Sequence, residues 1–329
     1  MIEGIKENIS KDFTNLSFDV TSWKEVLKDS LEVSVFHLQS SINYYAAYHE
    51  GTNISFLLHE NNTPLVVFPL FAYTKNNQWM LSSNGEGIIT PLFIQGIPKK
   101  LKKRLEKQIA EIIYIIADEL KIKNVKFFEP NLILSSWYLL WLEKNNKDFL
   151  KYQLAIDLRE SIEDIRLGFR KSYKPLVNKA LKEWQIEVCD KDHDQTFEEF
   201  RLLHLEAAGK ETRSRESWTI QKEQITNKEA FLVTVRDESK LIGAGFFNYT
   251  RDIGMYSVAA YKRELFDRPI GHAVQMIAIE KLKELGCKTY YLGQKATPGL
   301  STEKEISISH FKEGFASHIV AQPNLEVTI

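Results

Sequence analysis

Residues 256–293 read YSVAAYKRELFDRPIGHAVQMIAIEKLKELGCKTYYLG, and the reading of the fold starts there. The run begins inside an apolar stretch, 253–261, that reads as a buried strand. A mostly polar connection follows over 262–268. A helix of about four turns is predicted to start at Pro269 and to stop at Gly286, with Asp267 in front of it. Ile270, Val274, Ile277, Ala278, Leu282 and Leu285 recur at helical spacing and form one apolar stripe. A second strand is predicted over 287–292. Strand, connection, helix and strand make a crossover that places two parallel strands side by side. The helix start then points out of the loop end of those strands. Its unpaired N–H groups and positive dipole suit an anion.

The totals set limits. The chain has 329 residues, enough for two ordinary domains, with 43% apolar and 26% charged residues. Lys+Arg is 43 against 44 Asp+Glu, so no global field marks a surface devoted to nucleic acid. Cys189 and Cys287 are far apart in strand-like runs and read as reduced core thiols. Neither a disulfide framework nor a metal site is expected. The start, MIEGIKENISKDF, has no apolar signal core, and no run reaches the ~18 apolar residues of a membrane span. The longest, 109–120 and 132–142, are broken by Glu111 and Asp118 and by Ser135 and Ser136. The expectation is a cytoplasmic protein.

In the first half, helices are predicted over 22–30, capped by Ser22, over 39–49, over 99–121 and over 135–144. Leu105, Ile109, Ile112, Ile113, Ile116 and Leu120 form the buried stripe of the third. Strands are predicted over 54–58, 65–73, 79–82, 88–93 and 125–128. The basic run Lys99, Lys100, Lys102, Lys103, Arg104 reads as the solvated start of a helix. A domain boundary is placed near 150, giving domains 1–150 and 151–329. The second half opens with a strand over 152–158 and a capped segment over 161–169. A basic stretch, 170–184, follows, with a helix starting near Pro175. A strand at 186–189 leads to helices over 196–208 and over 217–226, the latter capped by Ser217. Strands over 230–235, 241–249 and 253–261 precede the opening unit. A short helix over 306–315 and a strand over 319–322 end the chain. Each half is thus α+β, with mixed sheets flanked by helices. Gly243-Ala244-Gly245 is no dinucleotide fingerprint, because it lies inside a strand with no helix after it.

Arg268-Pro269-Ile270-Gly271-His272-Ala273 fits the Arg/Gln-x-x-Gly-x-Gly/Ala loop of the GNAT acyltransferases, and the order of the second half resembles that fold. His310-Phe311-Lys312-Glu313-Gly314-Phe315 is similar to the GNAT Tyr-x-x-x-Gly-Phe element, with histidine in the tyrosine's place. It is also similar to the Phe-Lys-x-Gly-Phe element of FemAB/FemX-like chains, where Lys312 is the residue of interest. Arg170-Lys171-Ser172-Tyr173-Lys174 and the 200–204 helix segment look alike as well. Two such halves resemble the tandem GNAT proteins of that group, whose members transfer acyl or aminoacyl groups to amines. The first half lacks the phosphate loop, so one donor site per chain is implied.

That resemblance implies roles. Arg268, Gly271, His272 and Ala273 would hold the pyrophosphate of acyl-CoA (acetyl-CoA), with Lys312 stabilising charge on the donor side. A backbone N–H around Ser257, Val258 and Ala259 would meet the oxyanion. His310 would protonate a leaving thiolate, and His204 and Glu206 are candidate bases. His272, biased toward neutral by the helix dipole, is either a base or a phosphate contact. Arg170 and Lys174 would hold a diphosphate acceptor. Arg213 would grip an anionic acceptor while Trp218 stacks on its ring. Gln294 and Lys295 lie where open α/β sheets place ligand contacts. The bland readings are a satisfied-core or surface histidine for His204 and His310, a solvated lysine for Lys312, and a buried core tryptophan for Trp218.

The leading expectation is an N-acyltransferase moving an acyl group from acyl-CoA to an amine of an amino sugar or cell-envelope precursor, with no metal. One alternative is an aminoacyl-tRNA-dependent transferase. The even charge balance and absence of a heptad arm rank tRNA second as a partner. The other is a non-catalytic binding module. A homodimer is compatible with the sequence.

Overall fold

The computed structural model describes residues 2–19, 21–130, 133–144, 146–191 and 194–329; Leu132, where one apolar run starts, lies outside the described residues. The chain divides into two compact units, Met1–Lys151 with Ala321–Ile329, and Tyr152–Val320.

The first unit opens with α1 (Ile2–Asp12), β1 (Leu16–Ser17), α2 (Thr21–Asp29) and α3 (Gln39–Tyr48). Seven strands follow: β2 (Thr52–Asn53), β3 (Phe56–Glu60), β4 (Thr63–Phe68), β5 (Phe71–Lys75), β6 (Gln78–Ser82), β7 (Ile88–Ile89) and β8 (Leu92–Phe93). Then come α4 (Lys99–Glu119), β9 (Asn124–Phe128) and α5 (Ser136–Leu142). Leu105, Ile109, Ile112, Ile113 and Ile116 of α4 are buried with Phe56, Phe68, Phe127 and Trp137. The single strand expected over 65–73 is two strands, β4 beside β3 and β5 beside β6. Pro69 has no N–H for a ladder, and the Leu70 carbonyl turns to accept from Ile54 N–H and Ser55 Oγ. Ser22 does not cap α2, which starts before it at Thr21; the Asp19 carboxylate accepts from Thr21 N–H and Ser22 Oγ.

The second unit runs from β10 (Asn146–Asp157), whose last residues belong to it, through α6 (Ile162–Gly168), α7 (Tyr173–Glu183), β11 (Gln185–Cys189), α8 (Asp194–Ala208) and α9 (Arg215–Thr226). It continues with β12 (Ala230–Asp237), β13 (Lys240–Tyr249), β14 (Ile253–Tyr261), α10 (Ile270–Glu284), β15 (Thr289–Gln294) and α11 (Glu303–Glu313), and leaves within β16 (His318–Thr328). The final residues of β16 pair antiparallel with β9 of the first unit, so the last residues of the chain fold with the first domain's core. Strand order in the second unit is β11-β12-β13-β14-β15-β10, antiparallel except for the parallel β14–β15 pair.

The apolar stripe of α10 lies on this sheet, with Ile270, Val274, Ala278 and Leu282 buried. Glycines let it lie close. A Cβ on Gly243 would come within 2.4 Å of Ile270, on Gly245 within 2.7 Å of Val274, and on Gly254 within 2.5 Å of Leu282. Gly243 and Gly245 therefore serve helix packing. Phe197, Phe200 and Trp218 of α8 and α9 form a second core with Phe246 and Val258. Two helix starts differ from expectation. Ser214 caps α9, and Ser217 is a first-turn residue whose N–H donates to Ser214 Oγ. The start of α7 precedes Pro175 by two residues, which costs nothing because first-turn N–H groups have no helical acceptor.

Candidate active site

The parallel pairing of β14 and β15 stops early. Ladder pairs join Ile253 to Thr289, Gly254 to Tyr290 and Met255 to Tyr291, and then cease. Beyond that point β14 stays with β13 as far as Tyr261, while β15 stays with β10 as far as Gln294. Among the described residues, the edge of β14 from Tyr256 to Tyr261 that faces β15 thus has no strand partner. Backbone donors and acceptors are left open along a wedge between two otherwise adjacent strands.

Each strand is bulged at the opening. Phe247 pairs with Tyr256 and Phe246 with Val258, so Ser257 is the extra residue on β14. Its hydroxyl donates to Asn248 Oδ1 at 2.7 Å, and Asn248 donates to Gln224 Oε1 at 3.0 Å. On β15 the register shifts between Leu154↔Gly293 and Ala155↔Tyr291, which leaves Leu292 extra. Gly293 takes φ +117°, a conformation that favours glycine, and a Cβ there would meet Lys312 Nζ at 2.7 Å.

Lys312 therefore fills the opening. Its ammonium lies 5.2 Å from the centroid of the Tyr256 ring. Among the described residues no carboxylate pairs with it. Loss of hydration lowers its pKa to about 8. Beneath it runs a chain of hydroxyls. Tyr256 and Tyr261 share a hydrogen bond of 3.0 Å, and Tyr290 donates to the buried Gln275 amide at 2.6 Å. Burial pushes Tyr256 up to about 12, so the ring under the ammonium is an uncharged phenol.

The helix that carries Lys312 is gripped at its C-terminal end. Arg170 donates to the His310 carbonyl at 2.9 Å and Tyr173 Oη to the Phe311 carbonyl at 3.1 Å, so two orphan carbonyls are satisfied. Gly314 makes room for the Tyr173 ring, which would lie 2.1 Å from a Cβ. On the other side Lys295 Nζ reaches Glu313 at 2.8 Å, and Ser309 donates to the same carboxylate at 2.9 Å. Arg170 also donates to His310 Nδ1 at 3.3 Å. A guanidinium cannot accept, so Nδ1 is the acceptor in this contact.

The N-terminus of α10 is covered by the chain itself. Arg268 pairs with Glu183 and lies over the Trp184 ring at 5.6 Å. The N–H groups of Ile270 and His272 donate to the Arg268 and Pro269 carbonyls. A Cβ on Gly271 would touch the Phe311 ring at 3.1 Å. His272 is boxed by Tyr173, Phe311 and Phe315 at 4.4, 5.2 and 5.7 Å, with Nε2 buried and unpartnered. Burial, then the Arg170 charge, holds its pKa down to about 4.

No protein-family profile matches the sequence, and no curated protein matches it. Solved structures do. FemX superposes at a TM-score of 0.71 over 95% of this chain and 97% of its own, at 10% identity. L-PGS from Bacillus licheniformis gives 0.62 over 94% and 92%, at 12% identity. A tandem GNAT protein from the clavulanic acid biosynthesis pathway gives 0.54 over 94% of each chain, at 10% identity. This is the FemX-like tandem GNAT fold.

Within the FemX-like fold the other expected residues fall into separate groups. His204 Nε2 accepts from Arg213 at 2.8 Å, and Arg213 lies over the Trp218 ring at 5.3 Å. Burial and Arg213 hold His204 at about 4. Trp218 is buried against Phe197 and Phe200, so its ring is core and offers no open stacking face. Glu206 pairs with Lys262 at 3.2 Å on the surface. Gln294 pairs in the ladder with Gln153 and is exposed. Lys174 is half-buried in the first turn of α7, with no ion pair among the described residues. Ala273 is fully buried under the helix. Ser257, Val258, Gly293 and Lys312 are the expected and newly found residues that meet at the opening. Sequence reasoning missed Tyr256, Tyr261, Gln275, Tyr290 and Gly293. Only the tyrosines of β14 and β15 hinted at Tyr256, Tyr261 and Tyr290, and nothing hinted at Gln275 or Gly293.

Proposed function

We propose that the chain forms amide bonds by moving an activated acyl group onto an amine of an amino sugar or cell-envelope precursor, with the reaction at the β14–β15 opening. The observation that carries this is the half-buried, unpaired Lys312 ammonium held beside unpaired β14 backbone. Attack on a carbonyl builds negative charge on its oxygen. A fixed cation and strand N–H groups near Ser257 oppose that charge without reorganising.

The state of the α10 start bears on the donor. Arg268 is engaged by Glu183 and the His272 ring is packed among three aromatic rings, so a pyrophosphate held by these two side chains would have to displace the chain's own contacts. This favours an aminoacyl ester carried on tRNA over acyl-CoA as the donor. Calorimetry separates the two. The favoured reading expects no heat from acetyl-CoA below millimolar concentration and salt-dependent binding of an aminoacylated RNA hairpin. Micromolar acetyl-CoA binding that Arg268→Ala removes would restore acyl-CoA.

A further inference from the structure

The stretch 165–182 carries Arg166, Arg170, Lys171, Lys174, Lys179 and Lys182 and not one aspartate or glutamate. It spans the end of α6 and nearly all of α7. The two helices treat charge differently. Glu163 and Asp164 sit in the first turn of α6, where the helix dipole favours acids, whereas the first turn of α7 holds none. Tyr173, Val177 and Ala180 form the buried side of α7. Lys174, Lys179 and Lys182 fall on the rest of its circumference, with Lys171 just before the first turn. Lys171, Lys179 and Lys182 are exposed and Lys174 is half-buried. The rise from Lys174 to Lys182 is about 12 Å. Arg166 joins the row from α6, because its guanidinium donates to Asn178 Oδ1 at 2.5 Å.

The carboxylates around this row do not neutralise it. Glu183 pairs with Arg268, and Asp164 accepts from Ser161 Oγ at 2.8 Å. Glu280 of α10, its pKa raised by burial against the pull of the Arg166 charge, answers Arg166 alone. Lys171, Lys174, Lys179 and Lys182 have no ion pair among the described residues. Like charges three and four residues apart repel, so the row is relieved by a polyanion laid along it. Its position is informative too. Arg170 and Tyr173, at the start of the row, donate to the His310 and Phe311 carbonyls of α11, the helix that carries Lys312. We propose that Lys171, Lys174, Lys179 and Lys182, with Arg166, hold the phosphate backbone of an RNA stem. The choice of RNA rests on the reading of the donor as an ester carried on tRNA, and it assigns Lys174 to the donor instead of to a diphosphate acceptor. A stem presents a line of phosphates to this line of cations. A bilayer fits less well, because Leu167 is the one strongly exposed apolar side chain of the stretch.

The test is fluorescence anisotropy of the full chain with an uncharged (deacylated) RNA hairpin across a salt series. The wild type should bind in a salt-dependent manner. Lys179→Glu with Lys182→Glu should weaken binding at least tenfold and flatten the log–log salt slope by about 2, at unchanged Tm. Lys121→Glu with Lys123→Glu, which changes net charge equally in the first unit, should stay within about twofold. No salt-dependent binding, no effect of the first pair, or an equal loss from the second pair would overturn the proposal. Loss of binding to phosphatidylglycerol vesicles in the first pair, with no hairpin binding by the wild type, would overturn it by assigning the row to a membrane. Its failure is separable from failure of the donor reading. Transfer from an aminoacyl-RNA ester with unchanged KM in the first pair would sink this surface and keep the donor. Hairpin binding lost in the first pair, beside transfer from acetyl-CoA alone, would keep the surface and sink the donor.

Discussion

Lys312 carries an ammonium over the Tyr256 phenol, with no carboxylate paired to it among the described residues, and that position has a cost as well as a use. Its pKa falls from 10.5 to about 8. The folded state therefore gives up protons more readily than the unfolded chain, so this residue's contribution to stability rises as pH climbs from about 8 to 10.5. At pH 7 the desolvated charge is a penalty. Lys312→Met should raise stability at pH 7 by about 1–2 kcal/mol, allowing for remaining solvent contact, while lowering transfer about 100-fold or more. Urea unfolding and a single-turnover assay read the two effects separately. If Lys312 acts as a cation, the transfer rate falls above pH about 8; a rate that keeps rising through pH 9 would assign it the role of base. The Phe-Lys-x-Gly-Phe element made this lysine visible in the sequence. Its partners were not visible, because Tyr256, Gly293 and Gln275 lie on different elements and only strand pairing brings them together.

The α10 helix shows how an element becomes legible. Its stripe, its Pro269 start and its Gly286 stop are local signals, and the helix observed is Ile270–Glu284. The seat beneath it was legible only as an oddity, the glycines of β13 and β14. Gly254→Ala would push a methyl group to within 2.5 Å of Leu282, which is fully buried. The expected cost is about 1–3 kcal/mol, with slackened α10 contacts visible as faster amide exchange along the helix. The parting of β14 from β15 could not be read, because register and bulges depend on which strand lies alongside and not on the strand's own residues. The same holds for the covered end of α10. The hexapeptide that opens it has the phosphate-loop pattern, and only packing reveals Phe311, Tyr173 and Glu183 in contact with it.

Across the whole molecule, buried titratable groups set the response to acid. His204 and His272 in the second unit are held at about 4. Each contributes stability that is fully present above pH 6.5 and lost as pH falls toward 4, at up to about 1.4 kcal/mol per pH unit. In the first unit His37, also at about 4, acts in the same sense. Glu129, raised to about 7 by burial, acts in the opposite sense, since its folded state takes up protons first as pH falls from 7 toward 4.5. In the first unit these two oppose each other one to one, and in the second Glu280, raised by burial, opposes two histidines. Hydrogen exchange followed by mass spectrometry between pH 6.5 and 4.5 should therefore show residues 152–320 losing protection before residues 2–130. The two-part α+β architecture was legible from the spacing of strands and helices, whereas the return of the last strand to the first unit was not, because nothing local in residues 321–329 names a partner.

The proposed reaction centre is Lys312 with the opened strands, and not the Arg268 loop. Single-turnover transfer to an envelope-precursor amine, from aminoacyl-tRNA and from acetyl-CoA, measured for the wild type, Lys312→Met and Arg268→Ala, tests that assignment most directly. The predicted result is transfer from the RNA ester, lost in Lys312→Met by about 100-fold or more and kept within a few-fold in Arg268→Ala. Transfer from acetyl-CoA that survives in Lys312→Met and disappears in Arg268→Ala would contradict it.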